Sequence, residues 1–143
     1  MYHYTESGLR NVWLANGYTV RKFEGEESVA INDADELHRA IGRALACKPC
    51  LTGLEVRFLR KELGLSQKRL ADMLGSTEQT VSLWERKGRM PKGLDRILRA
   101  LYLEHLDGNV QIQAMIDRLI DLDKHEEEKL VFEDTQAGWK MAA

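Results

Sequence analysis

Cysteine and proline occur only twice each in the 143 residues, at Cys47 and Cys50 and at Pro49 and Pro91. Two cysteines exclude a disulfide scaffold and, with no export signal beside them, point to a reducing compartment. The opening, MYHYTESGLR, is polar and lacks the apolar centre of a secretory leader, so a cytoplasmic protein is expected. Long apolar runs are missing too: none approaches the ~18 residues of a membrane helix, and no membrane partner is expected. Repeats and low-complexity stretches do not occur. Nor does a nucleophile–base–orienter set, a phosphate-cradling glycine loop or a carboxylate pair at useful spacing, so neither an enzyme nor a cofactor is expected. What is present, 43% hydrophobic and 31% charged residues, is ordinary globular composition, long enough for one domain with a core or two small ones.

The net charge of −2 argues against a nucleic-acid partner only until it is resolved along the chain. Residues 1–50 hold 6 Lys/Arg against 7 Asp/Glu, residues 51–103 hold 11 against 6, and residues 104–143 hold 4 against 10. A basic middle followed by an acidic tail gives the centre of the chain the electrostatic footprint of a polyanion binder. The alternative for any such block is a solvated face.

Residues 9–32 read as β. Val12 and Leu14 alternate around Trp13, Asn16-Gly17 is a hairpin signal, and Tyr18, Val20 and Phe23 follow, with Gly25 turning the chain into Ser28–Ile31. A three-stranded meander is the expectation. Asn32 or Asp33 then caps a helix to about Ala46 whose Leu37, Ile41 and Leu45 share a face, and Cys47-Lys48-Pro49-Cys50 ends it as a linker.

From Thr52 to about His125 the pattern is helical with short breaks. A first helix carries Leu54, Phe58, Leu59 and Leu63 on one face, with Gly64 just past its end. Ser66 caps a second, Gln67–Leu74, whose Leu70, Met73 and Leu74 face inward and whose Ala71 permits close approach. Gly75 supplies the left-handed residue of a tight turn, and Thr77 caps a third helix, Glu78–Arg86, with Val81 and Trp84 inward. A fourth, with Leu94, Ile97, Leu98 and Leu101, closes the cluster. The third helix is left to display Glu78, Gln79, Thr80, Ser82 and Leu83, which suits entry into a DNA major groove.

This segment resembles the Cro/Xre family of phage-repressor-like DNA-binding domains. The residues that carry the likeness are Leu65-Ser66-Gln67, Leu70-Ala71, Leu74-Gly75, Thr77, Thr80-Val81-Ser82, Trp84-Glu85 and Pro91, over roughly 50 residues. The resemblance implies that Glu78, Gln79 and Leu83 sit where base edges are read, joined on the same face by Thr80. It implies that Gln67 meets phosphate, and that Arg60 and Glu85 form a structural bridge fixing the angle of the third helix. Lys68, Arg86, Lys87, Arg89 and Lys92 flank the helices as the natural phosphate contacts, with Thr77 and Ser82 at their edge. Three positions depart from the family pattern. Ser76 replaces an apolar residue, Leu83 replaces a polar one and so suits a thymine methyl, and Glu78 must accept from a cytosine amino group to sit near DNA.

Residues 4–18, with Tyr4, Gly8-Leu9, Val12, Leu14 and Asn16-Gly17-Tyr18, are similar to the front of MqsA-like antitoxins. Those proteins build that domain around zinc held by two Cys-x-x-Cys pairs. Here there is one pair, Cys47 and Cys50, and Ser7 stands near where a cysteine belongs; His3, His38, His105 and His125 lack the spacing of a second. No metal is expected, and the thiols read as reduced linker cysteines. After Asp107-Gly108-Asn109, the stripe Val110, Ile112, Met115, Ile116, Leu119, Ile120 and Leu122 reads first as intramolecular core and second as a dimer or partner contact. Asp121, Asp123 and Glu126–Glu128 read as a solvated face, and the stretch from Thr135 as loose.

The expectation is therefore an α+β chain in three parts. Residues 1–50 form a small domain for dimerisation or partner binding, 51–106 the helix-turn-helix, and 107–143 a helix with an acidic, partly loose tail. Function is expected as a homodimeric repressor on a pseudo-palindromic operator in double-stranded DNA. The alternative is an antitoxin that neutralises a cognate toxin protein and represses its own operon.

Overall fold

The computed structural model describes residues 1–124 and 130–142; His125 and Glu126–Glu128 lie outside them. Two short strands, β1 (Tyr2–His3) and β2 (Trp13–Leu14), pair antiparallel around a 3-10 turn at Thr5–Ser7. A second antiparallel ribbon joins β3 (Tyr18–Phe23) to β4 (Glu26–Ile31). The meander expected from the sequence is thus corrected to two separate two-stranded ribbons. Turn chemistry explains the difference. Glu24 and Gly25 have φ of 50° and 81°, and two consecutive positive values are what a tight type I′ hairpin needs. At Asn16-Gly17 only the glycine is left-handed. The Gly17 carbonyl accepts the Asn32 amide at 2.8 Å, extending the β3–β4 ribbon instead of joining β2 to β3.

Asp33, not Asn32, caps α1 (Ala34–Ala46): its carboxylate accepts the Glu36 amide at 3.2 Å. Ile41 and Leu45 are buried on this helix and Leu37 is half-buried. The chain after α1 turns a corner that is bonded at three residues to α5 (Lys92–Leu106). Arg99 donates to the Lys48 carbonyl and Lys92 to the Pro49 carbonyl, both at 2.6 Å, and the Leu51 amide donates to Asp95 at 2.8 Å. Asp95 is only 2% exposed; its second oxygen accepts from Arg99 at 2.6 Å, so this buried charge is paired and fully bonded. Cys47 is exposed, Cys50 half-buried, and both thiols are free.

Between these elements run α2 (Gly53–Glu62), α3 (Gln67–Leu74) and α4 (Glu78–Arg86). One apolar cluster joins Tyr4, Leu9 and Leu14 of the N-terminal arm to Ile41 and Leu45, Val56 and Leu59, Leu70, Val81 and Trp84, and Leu98 and Tyr102. Each large side chain wholly removed from water contributes roughly 1.5–3 kcal/mol. On α5 the inward stripe is Leu98, Leu101 and Tyr102; Ile97, expected in the core, lies one position off it and is 38% exposed. A polar chain crosses the arm: the Tyr4 hydroxyl meets His38 Nε2 at 2.8 Å, and His38 Nδ1 meets Glu62 at 2.6 Å. Burial, with Glu6 and Glu62 adding to it, pushes the Tyr4 phenol above its ordinary pKa.

Two expectations for the C-terminal part are corrected. No residue of α6 (Gln111–Asp123) is buried, so its apolar stripe is not core within this chain. Ile112, Ile116 and Ile120 are half-covered, whereas Val110, Met115, Leu119 and Leu122 are open. The stretch from Thr135 is not loose: β5 (Phe132–Thr135) and β6 (Gly138–Met141) form a hairpin. The signal was missed because the paired strands are four residues each, too short for periodicity to register.

Gly42 marks the closest approach of α1 to α5. A Cβ there would occupy the space of the Tyr102 ring, which is 1% exposed. Glycine to alanine inside a helix ordinarily stabilises by about 1 kcal/mol. Here Gly42→Ala is expected to destabilise by roughly 1–3 kcal/mol through overpacking, read by thermal or urea unfolding. Adding Tyr102→Leu should recover part of the loss; simple additivity would mean that the two positions do not touch.

Candidate nucleic-acid interface

The local sequence fixes each end of the two central helices. Thr52 and Glu55 form a capping box on α2, with the Thr52 hydroxyl accepting the Glu55 amide and the Glu55 carboxylate accepting the Thr52 amide at 2.9 Å. Glu55 is buried and also bonds Lys48 at 2.7 and 2.8 Å. Ser66 caps α3 through the Arg69 amide at 3.0 Å, and Thr77 caps α4 through the Thr80 amide at 3.2 Å. Gly75, at φ 69°, makes the left-handed end of α3, and the next helix starts three residues later. The bounds and N-caps of α3 and α4 are those read from the sequence; the Thr52–Glu55 box on α2 was not.

Three contacts set the tilt of α4. Val81 and Trp84 pack inward at 0% and 8% exposure. Gly53 lets the start of α2 lie against the end of α4: a Cβ there would stand 2.5 Å from the Glu85 carbonyl oxygen and 2.6 Å from that of Trp84. The third contact is electrostatic. Arg60 grips Glu85 with both prongs, Nε to Oε2 at 2.7 Å and Nη2 to Oε1 at 3.0 Å, and donates its remaining nitrogen to the Leu65 carbonyl at 2.9 Å. Gln67 adds an amide hydrogen to Glu85 Oε1 at 3.2 Å. Both ions are buried, so the planar fork and the extra bonds are what offset their desolvation.

With that face locked, Glu78, Gln79 and Leu83 are exposed on α4, Leu83 by 50%. Thr80 and Ser82 are half-buried, and the Thr80 hydroxyl lies 2.8 Å from that of Thr77, which commits both partly to the cap. Lys68, Arg86, Lys87 and Arg89 are exposed, with Arg86 Nε reaching the Ser82 carbonyl at 3.4 Å. Lys92 is exposed but anchored to the Pro49 carbonyl, and Gln67, half-buried, keeps one amide hydrogen beyond the one given to Glu85. Two cations were missed from sequence. Arg10 and Lys48 line a hollow of about 430 Å³ together with Gly53, Arg86 and Lys87 at the C-terminal end of α4. Nothing local signals this, since Arg10 stands 76 positions from Arg86 in the chain. The three histidines among the described residues are engaged elsewhere: His3 stacks on Trp13, His38 sits between Tyr4 and Glu62, and His105 packs on Tyr102.

Because the bridge leaves a buried charge when either member is removed, Arg60→Ala and Glu85→Ala are each expected to cost roughly 3–5 kcal/mol. The double substitution should cost well under their sum. A double-mutant cycle by urea unfolding checks this, and strictly additive losses would show that the two side chains do not interact.

Residues 56–95 match the family model described as Helix-turn-helix. An uncharacterized HTH-type transcriptional regulator of Methanothermobacter thermautotrophicus is 47% identical to this chain over 55 residues, which is 36% of this chain and 78% of the relative. No solved structure matches the chain.

Proposed function

From the premise that this chain belongs to the Cro/Xre-type helix-turn-helix family, we propose that it is a sequence-specific DNA-binding transcriptional regulator, a repressor that acts as a dimer on a pseudo-palindromic operator. One observation carries the reading. The inner face of α4 is held by Val81, Trp84 and the Arg60–Glu85 bridge, while its outer face offers Glu78, Gln79 and Leu83 to solvent from the helix's first turns. A rigid helix with an exposed amide, carboxylate and branched apolar group has the donor, acceptor and methyl-contact chemistry of major-groove readout. In this reading Gln79 pairs with adenine N6 and N7, Leu83 covers a thymine methyl, Glu78 accepts from a cytosine amino group, and Thr80 lies beside them. Gln67, Lys68, Thr77, Ser82, Arg86, Lys87, Arg89 and Lys92 hold phosphates. One module makes too few base contacts to single out a site, so two half-sites and two copies are required.

A second reading, an antitoxin that also represses its own operon, is favoured by the open aromatics of the N-terminal ribbons, Trp13 at 55% and Phe23 at 77% exposure. Co-expression with the product of an adjacent toxin-like reading frame tests it. Rescue of growth by the wild type, lost in Phe23→Ser with Trp13→Ser, supports it, and absence of rescue by the wild type excludes it.

Base readers and phosphate holders separate experimentally. Lys68→Ala should weaken binding to all sequences alike and reduce the slope of log affinity against log salt by about one. Gln79→Ala should leave that slope intact, cost about 1–3 kcal/mol on the operator and relax preference at one base step. Parallel selection from random duplexes, wild type against variant, gives the answer. Identical motifs with identical information at every position would remove Gln79 from the reading face.

A further inference from the structure

We propose that Arg10, carried by the N-terminal arm, completes a phosphate-binding hollow with Arg86 and Lys87, so that the arm grips the backbone of the duplex that α4 reads. The ligand rests on the DNA-binding reading, and the contact comes from outside the helix-turn-helix. Six charged residues line the hollow of about 430 Å³: Arg10, Lys48, Glu55, Glu85, Arg86 and Lys87. Its two carboxylates are already neutralised within the chain. Lys48 holds Glu55 at 2.7 and 2.8 Å, and the Arg60 fork holds Glu85. No carboxylate among the described residues pairs with Arg10, Arg86 or Lys87. Three like charges therefore share one concave wall, which focuses a positive field and is relieved when an anion enters.

Arg10 does not sit on a loose tail. Leu9 before it is 3% exposed and belongs to the apolar cluster. The Leu9 amide donates to the Ser7 hydroxyl oxygen at 3.1 Å, and that hydroxyl donates to the Tyr4 carbonyl at 2.8 Å. The Tyr4 amide donates to the Val12 carbonyl at 2.9 Å, closing the arm on itself. His3 Nε2 donates to the Arg10 carbonyl at 2.7 Å. The backbone of Arg10 is thus fixed, while the residue is exposed and its guanidinium donates to no described residue. A planar fork of five N–H donors held at one place matches the oxygens of a phosphate.

The place of the hollow on α4 selects duplex backbone as the source of that phosphate. Gln79, Leu83 and Arg86 recur at spacings of four and three, so they lie along one stripe of the helix. From Gln79 to Arg86 the helix rises roughly 10 Å. The major groove is about 12 Å wide. A helix whose first turn meets base edges therefore brings its last turn to the wall of the groove, where the phosphates run. Arg86 and Lys87 reach that wall from the end of α4, and Arg10 joins them from the N-terminal arm. An acidic protein segment would find the same charge, but nothing would place it in line with Gln79 and Leu83.

Binding of the full chain to a selected duplex across a salt series tests the assignment. Arg10→Gln should lower affinity about 5–10-fold at ~0.1 M salt and reduce the slope of log affinity against log salt by about one. Arg10→Lys should keep the slope. Arg21→Gln, which removes the same charge from an exposed site on β3 away from the hollow, should leave affinity and slope unchanged. Duplexes with one methylphosphonate at a time then locate the contact: the wild type should lose affinity at a phosphate to which Arg10→Gln is indifferent. If Arg10→Gln behaves as Arg21→Gln does, or stays sensitive at every phosphate that the wild type feels, the hollow is overturned and the operator reading stands. Inorganic phosphate is the second probe. Its binding at the Arg10 guanidinium, followed by side-chain nitrogen-15 resonances, together with a salt slope untouched by Arg10→Gln, would assign the hollow to a small anion and overturn the duplex contact. A wild type that binds duplexes without sequence preference, yet with an Arg10-dependent slope, upholds the hollow and refutes the operator reading. A wild type that binds no duplex overturns both.

Discussion

The Arg60–Glu85 bridge is the constraint on which the rest of the binding face depends. It ties the last turn of α2 to the last turn of α4, where the two buried ions and the Gln67 amide satisfy one another. A hydrophobic pair of similar volume would serve packing as well. What the ions add is direction, because a bidentate fork holds in one plane and at one register. Gly53 works to the same end by a different means, letting the α2 backbone reach the terminal carbonyls of α4. Between them they decide which side of α4 faces inward, and so which side chains are left to meet a partner.

The motif was legible in the sequence because its information is local. Ser66, Gly75 and Thr77 act on backbone atoms within four residues, and the apolar spacing of Leu70, Leu74, Val81 and Trp84 lies within single helices. The Arg60–Glu85 pair, 25 positions apart, was reached only through family resemblance, not through spacing. The Asp95 site was not legible at all, since its partners, Leu51 and Lys48 by way of Arg99, come from the far side of the chain. For the same reason Arg10 and Lys48 went unnoticed beside Arg86. The N-terminal error has a narrower cause. The turn at Glu24-Gly25 formed as expected, with six paired residues on each side, but at Asn16-Gly17 only the glycine is left-handed and β2 is not joined to β3.

The α6 stripe shows where pattern stops being informative. Periodicity says that a face is apolar and must be covered, but it is silent on whether the cover comes from the same chain. On α6 the isoleucine edge is half-covered, whereas the Met115–Leu119–Leu122 edge stays open. The acidic balance of residues 104–143 would repel a polyanion, whereas the basic centre would attract one.

The central claim, that the outer face of α4 and the start of α3 meet DNA, is tested most directly by titrating a nitrogen-15-labelled chain with a selected operator duplex and following every backbone amide. The account predicts that shifts and line broadening concentrate between Ser66 and Lys87, largest at Gln79 and its neighbours, with the β3–β4 ribbon unmoved. Amides of α3 and α4 that stay in place while the N-terminal ribbons or the β5–β6 hairpin respond would contradict it.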